Sequence, residues 1–207
     1  MLRERKLVNY TLLCFQTCSF GIKDTKENIE RVAPFLSNPR EPQWLGQGYY
    51  FWTDSLLFAK SWGEVHYSSK YAINKYHIVV PKNQFFDLVG NVDHQLEFLE
   101  KYEKNFYVLL DEVVNTTANE KKRKDRKSKI DKMKASGVKV STLFWALREL
   151  KKFPYKVVKA YDSPIDSKNV KFMSGGESML LPTRQQIVVY PEAKSMITRI
   201  EWMYPNV

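Results

Sequence analysis

Between Trp44 and Glu64 the chain reads WLGQGYYFWTDSLLFAKSWGE. The residue types in this stretch suit recognition of a flat ring. Gly46 and Gly48 permit a tight entry to a strand and the close approach of a ligand to the backbone. Tyr49 and Tyr50 then alternate faces, so one ring can look into a cleft while the other packs. The strand runs directly into a short helix that carries Trp62, and that helix starts beside the same cleft. Stacking on a heterocycle is the chemistry this frame offers. A plain hairpin over a buried aromatic cluster is the alternative that the same residues allow.

Elements on either side must hold that frame. Residues 8–16 read as a buried strand. The segment DTKENIERVAPF reads as a helix capped by Asp24 or Thr25, with Ile29, Val32 and Ala33 as its apolar face and Pro34 as its end. GYYFW is a strand, and TDSLLFAKSWGE is a helix capped by Thr53 or Asp54. YAINKYHIVV alternates as a strand up to Pro81, and FFDL is a further short extended piece. From about residue 92 the texture turns helical. DHQLEFLEKYEKNFYVLLDEVVN has helical periodicity, ANEKKRKDRKSKIDKMKASG is nearly all charge, and STLFWALRELKKF is an amphipathic helix that ends before Pro154. YKVVKAYD and QQIVVYP are strands again, with SKNVKFMSGGESMLLPT expected as a loop between them. Strands, then helices, then strands make the fold class α+β. The expected organisation is one domain over residues 1–207, with a basic helical insertion at about 92–153.

The bulk composition narrows the class. A chain of 207 residues suits one domain, and 43% hydrophobic content supports a real core and excludes wholesale disorder. With 12 Tyr, 12 Phe and 5 Trp there are rings to spare for a surface or a pocket. The net charge of +10 favours polyanions such as nucleic acid, although solubility alone can account for it. Cys14 and Cys18 are too few for a disulfide scaffold and form no ligand pattern with His66, His77 or His94. Both are read as reduced or buried thiols, and no metal site is expected. The basic N-terminus passes into an apolar stretch broken by Asn9, Tyr10 and Thr11, without a small-residue cleavage site. It reads as a first strand and not as a signal peptide. No run approaches the roughly 18 apolar residues of a membrane span. The expected location is therefore the cytoplasm, with no membrane partner.

The segment WLGQGYYFWTDSLLFAKSW resembles the part of ADP-ribosyltransferase-like domains that reads Gly-x-Gly-(apolar)-Tyr-Phe, followed by an acidic turn and a helix. The likeness is to the class with a His-Tyr-Glu triad, which includes poly-ADP-ribosyltransferases and diphtheria-type toxins. The resemblance implies a split antiparallel sheet with flanking helices, and NAD as the substrate. It makes Tyr50 the ring that stacks on nicotinamide. In that class a first strand ends in a His-Gly-Thr or His-Gly-Ser turn, and LLCFQTCSFGIKDTKENIERVA is similar in layout. The histidine place falls on Phe15, the glycine place on Gln16 and the threonine on Thr17. This is a departure, because Phe15 cannot bond a ribose hydroxyl. The glutamate of the late strand falls on Gln186 in QQIVVYPEAKSMI. A carboxylate there would stabilise the cationic ribosyl species formed as nicotinamide leaves, whereas glutamine can bond the hydroxyl but brings no charge. Glu177, in SGGES, is expected in a flexible glycine loop from which it could swing in; a solvated loop acid is the alternative.

The resemblance thus implies an NAD-dependent ADP-ribosyltransferase. Tyr50 and Gln186 are its candidate catalytic residues, and Phe15, Gln16, Thr17, Gly48, Tyr49, Tyr50 and Trp62 its candidate NAD contacts. Small transferases of this kind resemble intracellular toxins of toxin–antitoxin or phage-defence modules, so an antitoxin protein is a possible partner. The acceptor is read from the basic run. Lys121, Lys122, Arg123, Lys124, Arg126 and Lys127 cluster in a run that reads as a solvated helix or a disordered loop between two amphipathic helices, and they favour a nucleic-acid acceptor, RNA before DNA. A protein acceptor, a catalytically inactive binding module of the same fold, and a plain interaction protein with core aromatics all stay open.

Overall fold

The computed structural model describes residues 8–41, 43–68, 70–137, 139–162, 169–172, 177–180 and 183–205, with only the backbone described at 169–172 and 177–180. Nine strands are present among the described residues. They are β1 (Asn9–Ser19), β2 (Tyr49–Thr53), β3 (Tyr71–Pro81), β4 (Phe85–Asp87), β5 (Val157–Tyr161), β6 (Asn169–Phe172), β7 (Glu177–Leu180), β8 (Gln185–Val189) and β9 (Ile197–Tyr204). Seven of them form one sheet in the order β4-β5-β8-β2-β1-β3-β9, and β6 and β7 form a separate hairpin. All neighbours in the large sheet run antiparallel except β4 and β5. The helices are α1 (Lys26–Val32), α2 (Leu56–Tyr67), α3 (Val92–Glu97), α4 (Phe106–Asn115), α5 (Glu120–Ser136) and α6 (Val140–Glu149), with a π-helical stretch at Phe98–Glu103 between α3 and α4. The class is mixed α+β, as the order of elements implied.

The local chemistry explains the element ends. Thr25 caps α1, its hydroxyl accepting the Asn28 N–H at 3.2 Å. Ser55 caps α2, not Thr53 or Asp54. Thr53 is still the last residue of β2, and Asp54 turns the chain with φ near 56°. One expectation needs correction, and one strand was not foreseen. The stretch expected as a loop before β8 contains the β6–β7 hairpin, in which Glu177 pairs with Phe172. The chain also returns after β8 to add β9 as an edge strand against β3.

Register decides which side chains share a face. Phe15, Trp52, Gln186 and Ala160 lie opposite one another across β1, β2, β8 and β5. Tyr50 and Val188 fall on that same face, and Tyr49, Phe51, Ile187 and Cys14 on the other. The first face has two coverings. At the β4-β5-β8 end, α4 and α6 bring Leu110, Val113, Phe144 and Leu147 onto Phe86, Val158, Val188 and Tyr190 in one cluster. The helical insertion therefore shares its core with the sheet. At the β1-β3 end, α2 lays Ala59 onto Phe15, Trp52, Tyr71 and Ile73. The boundary between the coverings runs along β2, where Tyr50 packs on the first cluster and Trp52 belongs to the second.

The sheet is weakly joined at this boundary. β1 pairs with β3 along its whole length, from Asn9↔Pro81 to Ser19↔Tyr71. With β2 it pairs only at Cys14↔Thr53 and Phe15↔Trp52. Beyond that pair the backbone of Gln16 and Thr17 is not paired with β2, and the two strands diverge.

Candidate functional site

A cavity of about 640 Å³ opens where β1 and β2 part. Gln16 and Thr17 of β1, Tyr50 and Trp52 of β2, Trp62 of α2, and Gln186 of β8 contribute to its wall. The segment 35–44 closes one side through Phe35, Ser37 and Trp44, and Asp162 and Arg184 stand at the far end. Tyr50, Gln186, Gln16, Thr17 and Trp62, distant in sequence, thus meet in one cleft.

A second cavity of about 420 Å³ is lined by Tyr10, Phe85, Asp87, His94 and Lys159, among others. Its best polar groups are already engaged. The Asp87 carboxylate accepts the Val89 and Gly90 N–H groups at 2.9 Å, and His94 Nδ1 accepts the Asp87 N–H at 2.9 Å. The first cleft is therefore the better candidate.

Tyr50 is held by a turn. The chain from Gln43 to Gly46 closes with a Gly46 N–H to Gln43 carbonyl bond of 2.9 Å, and Gly46 adopts φ near +84°, a conformation natural to glycine. The Tyr50 hydroxyl donates to the Gly46 carbonyl at 2.6 Å and accepts the Leu45 N–H at 3.0 Å. The Tyr190 hydroxyl donates to the Leu45 carbonyl at 3.1 Å, and Leu45 itself is 0% exposed. Burial pushes the Tyr50 phenol well above its ordinary range, against the smaller effect of the Leu45 N–H. The phenol stays neutral and keeps its donor role. Its ring is fixed as part of the cleft wall.

Gln186 is 8% exposed, and its amide oxygen accepts the Trp44 indole N–H at 2.7 Å. Gln16 is used differently. Its amide oxygen accepts the Phe35 N–H at 2.7 Å, and its nitrogen donates to the Phe35 carbonyl at 2.9 Å and the Tyr50 carbonyl at 3.2 Å. Its side chain is a structural tie that bridges the parted strands. Thr17 donates its hydroxyl to the Ala59 carbonyl at 2.7 Å and so docks α2. Trp62 stacks on His66 with ring centroids 3.6 Å apart, and lies 5.7 Å from Trp52.

Three candidate contacts do not line the cleft. Phe15 is 5% exposed and packs beneath α2 with Trp52, Tyr71 and Ile73. Tyr49 is 8% exposed and lies on the opposite face with Phe51, Tyr76 and Ile187, because strand alternation turns it away from Tyr50. Gly48 serves the sheet and not a ligand. A Cβ there would lie 2.4 Å from Val188 Cγ2 and 2.7 Å from the Val189 carbonyl oxygen. The glycine lets β2 close on β8.

Sequence reasoning missed Asp162, Arg184 and Glu41, the charged groups of the cleft. Arg184 pairs with Asp162 at 2.8 Å and its guanidinium lies 5.5 Å from the Trp52 ring. The signal for Arg184 was its place two residues before Gln186, the spacing at which extended residues point the same way, although β8 itself begins at Gln185. Asp162 has no such signal, since its N–H to Arg184 carbonyl bond of 2.9 Å depends on the β5–β8 register. Glu177 starts β7, and its side chain lies outside what is described. The cysteines are buried free thiols. Burial raises Cys14 strongly and pushes Cys18 up to about 12, and the thiols lie 3.7 and 3.8 Å from the Tyr76 and Ala72 carbonyls.

The basic run forms α5, a helix anchored by Ile130, its one buried residue among the described side chains. Lys121, Lys122, Arg123, Lys124 and Lys127 are exposed. Lys124 pairs with Glu120 at 3.0 Å. Arg126 differs from its neighbours, bonding Thr117 at 3.1 Å and Glu149 at 2.5 Å, so it fastens α5 to the turn after α4 and to α6. Lys134 fastens α5 to α4 through Asp111 at 2.7 Å. Lys121, Lys122, Arg123 and Lys127 have no ion-pair partner among the described residues. No described helix is long and apolar enough to cross a membrane. Comparison with known proteins finds no family model, no curated protein and no solved structure that matches the chain.

Proposed function

We propose that the chain is an NAD-dependent ADP-ribosyltransferase of the His-Tyr-Glu type, with Phe15 and Gln186 at the histidine and glutamate places. The observation that carries this reading is the convergence of the tyrosine and glutamate places with the Gln16–Thr17 segment, while Phe15, at the histidine place, packs beneath α2 outside the cleft. The three places lie on β1, β2 and β8, with β2 between the other two, and Tyr50, Gln186 and the Gln16–Thr17 segment wall one cleft. β1 and β2 stay joined in one seven-stranded sheet but by only two residue pairs, which leaves room for a ligand beside Gln16 and Thr17 and supports this reading. Nicotinamide stacks on the fixed Tyr50 ring, which contributes on the order of 1 kcal/mol beyond area burial. Gln186 bonds a ribose hydroxyl. The Gln16–Thr17 backbone, paired with β3 but not with β2, turns its β2 edge to the nicotinamide amide, since the side chains of both residues are engaged elsewhere.

The acceptor in this reading is a nucleic acid, RNA before DNA. Lys121, Lys122, Arg123 and Lys127 of α5, exposed and without an ion-pair partner among the described residues, supply the electrostatic footprint. The setting is that of a cytoplasmic toxin held by an antitoxin. A second reading has a specific observation in its favour. Neither Phe15 nor Gln186 brings a charge, and Asp162, a carboxylate in the cleft, is neutralised by Arg184. The cleft would then bind a nucleotide without turning it over.

Incubation with NAD labelled in the adenylate, in a cell extract divided between nuclease and protease treatment, decides among these. Label that nuclease releases supports the RNA acceptor, and label that protease releases supports a protein acceptor. Saturable NAD binding without label transfer or nicotinamide release supports the binding module.

A further inference from the structure

The contact between Trp44 and Gln186 carries an inference that rests on the reading just given and sharpens it. An amide side chain has two ends of nearly equal size and opposite hydrogen-bonding character. An indole N–H can only donate. The 2.7 Å bond from Trp44 Nε1 therefore selects the oxygen of Gln186 and leaves Nε2 as the atom for a ligand in the cleft. Nε2 has no protein partner among the described residues. Trp44 is itself held firmly, because Leu45 beside it is tied to Tyr50 on one side and Tyr190 on the other. The turn from Gln43 to Gly46 thus links the stacking ring to the residue at the glutamate place.

We propose that Trp44 is a positioning residue that sets Gln186 as a hydrogen-bond donor toward the substrate. In the proposed reaction Nε2 donates to a ribose hydroxyl oxygen and takes no proton from it. A glutamate at this position would behave differently. One carboxylate oxygen would take the indole N–H, and the other, chemically equivalent, would present an acceptor and a negative charge to the ribose. The indole bond matters for orientation only while the residue has two unlike ends.

The experiment compares Trp44→Phe in three backgrounds, wild type, Gln186→Glu and Gln186→Ala, following kcat and KM for nicotinamide release from NAD. With glutamine, Trp44→Phe should lower kcat about fivefold, the kinetic equivalent of one ordinary hydrogen bond, with KM little changed. With glutamate the loss should nearly vanish, since a carboxylate has no wrong end, and with alanine it should vanish entirely. An equal loss in all three backgrounds would overturn the proposal and make Trp44 a mere brace of its loop. A second readout needs no activity. In ¹⁵N-labelled protein the Trp44 indole N–H signal should shift upfield and exchange faster in Gln186→Ala. An unchanged indole signal would refute the pairing. If no variant releases nicotinamide, the transferase reading fails, while the indole signal still decides the pairing.

Discussion

Replacing Tyr50 by phenylalanine separates two jobs that one side chain performs. The ring remains, so no cavity forms and the stacking surface survives. What is lost is the hydroxyl that joins Leu45 N–H at 3.0 Å to the Gly46 carbonyl at 2.6 Å. Leu45 is fully buried, so its N–H cannot turn to water. An orphaned buried donor costs about 1–3 kcal/mol, more than the 0.5–1.5 kcal/mol of an ordinary bond. Tyr50→Phe should therefore lose about 1–3 kcal/mol of stability. For a chain of this size that is a drop of roughly 2–4 °C in Tm per kcal/mol. Urea unfolding followed by circular dichroism measures it, and the slope should stay unchanged because the same surface is exposed. The pH dependence has a definite sign. The folded phenol titrates above its ordinary value, so its stabilisation is complete below that value and is lost as pH rises toward the folded one. Tyr50→Phe should lack that part of the alkaline loss. NAD should still bind, with the larger effect on turnover through the loosened turn and Trp44. A Tyr50→Phe protein as stable as wild type would refute the reasoning, for it would mean that the hydroxyl does not hold the turn.

Tyr50→Ala should abolish transfer in a protein that still folds, and full activity would remove the ring from the reaction. Gln186→Ala should lower turnover far more than NAD affinity, and Gln186→Glu should retain or raise NAD hydrolysis; a Gln186→Ala enzyme with normal kcat would move the role to another group in the cleft. Gly48→Ala should destabilise by about 1–3 kcal/mol, because its Cβ would lie 2.7 Å from a backbone carbonyl that cannot rotate away; an unaltered urea midpoint would contradict the close packing of β2 on β8. Changing Lys121, Lys122, Arg123 and Lys127 to glutamine should weaken binding of single-stranded RNA and flatten its salt dependence by about 0.7 per lost phosphate contact, with NAD hydrolysis as the control; an unchanged slope would make α5 a solvated face.

Local chemistry was enough to read much of the chain. The alternation of β1, β2 and β3, the Thr25 cap of α1 and the charge of α5 are properties of short windows, and these elements lie where the residues imply. That one of the two tyrosines faces a cleft was legible for the same reason, since glycines, strand and helix follow one another directly, and the resemblance to the transferase motif singled out Tyr50. Window chemistry fails where the partner is far away in sequence. Thr53 and Asp54 look as good a helix cap as Ser55, but β2 keeps Thr53 extended through its pairing with Cys14. Tyr49 and Tyr50 look alike, and only register against β8 decides that Tyr49 turns to the core. The charge of the run was plain and left a solvated helix or a disordered loop open; that it folds as α5 and that Arg126 is spent on Glu149 were not legible. Gly48 reads as room for a ligand, yet that room is filled by Val188 and Val189 of β8. The pairing of Trp44 with Gln186, and of Arg184 with Asp162, has no trace in composition or spacing. Each depends on the sheet bringing β8 between β5 and β2, a long-range arrangement set by the burial of whole faces and not by any one residue's preference.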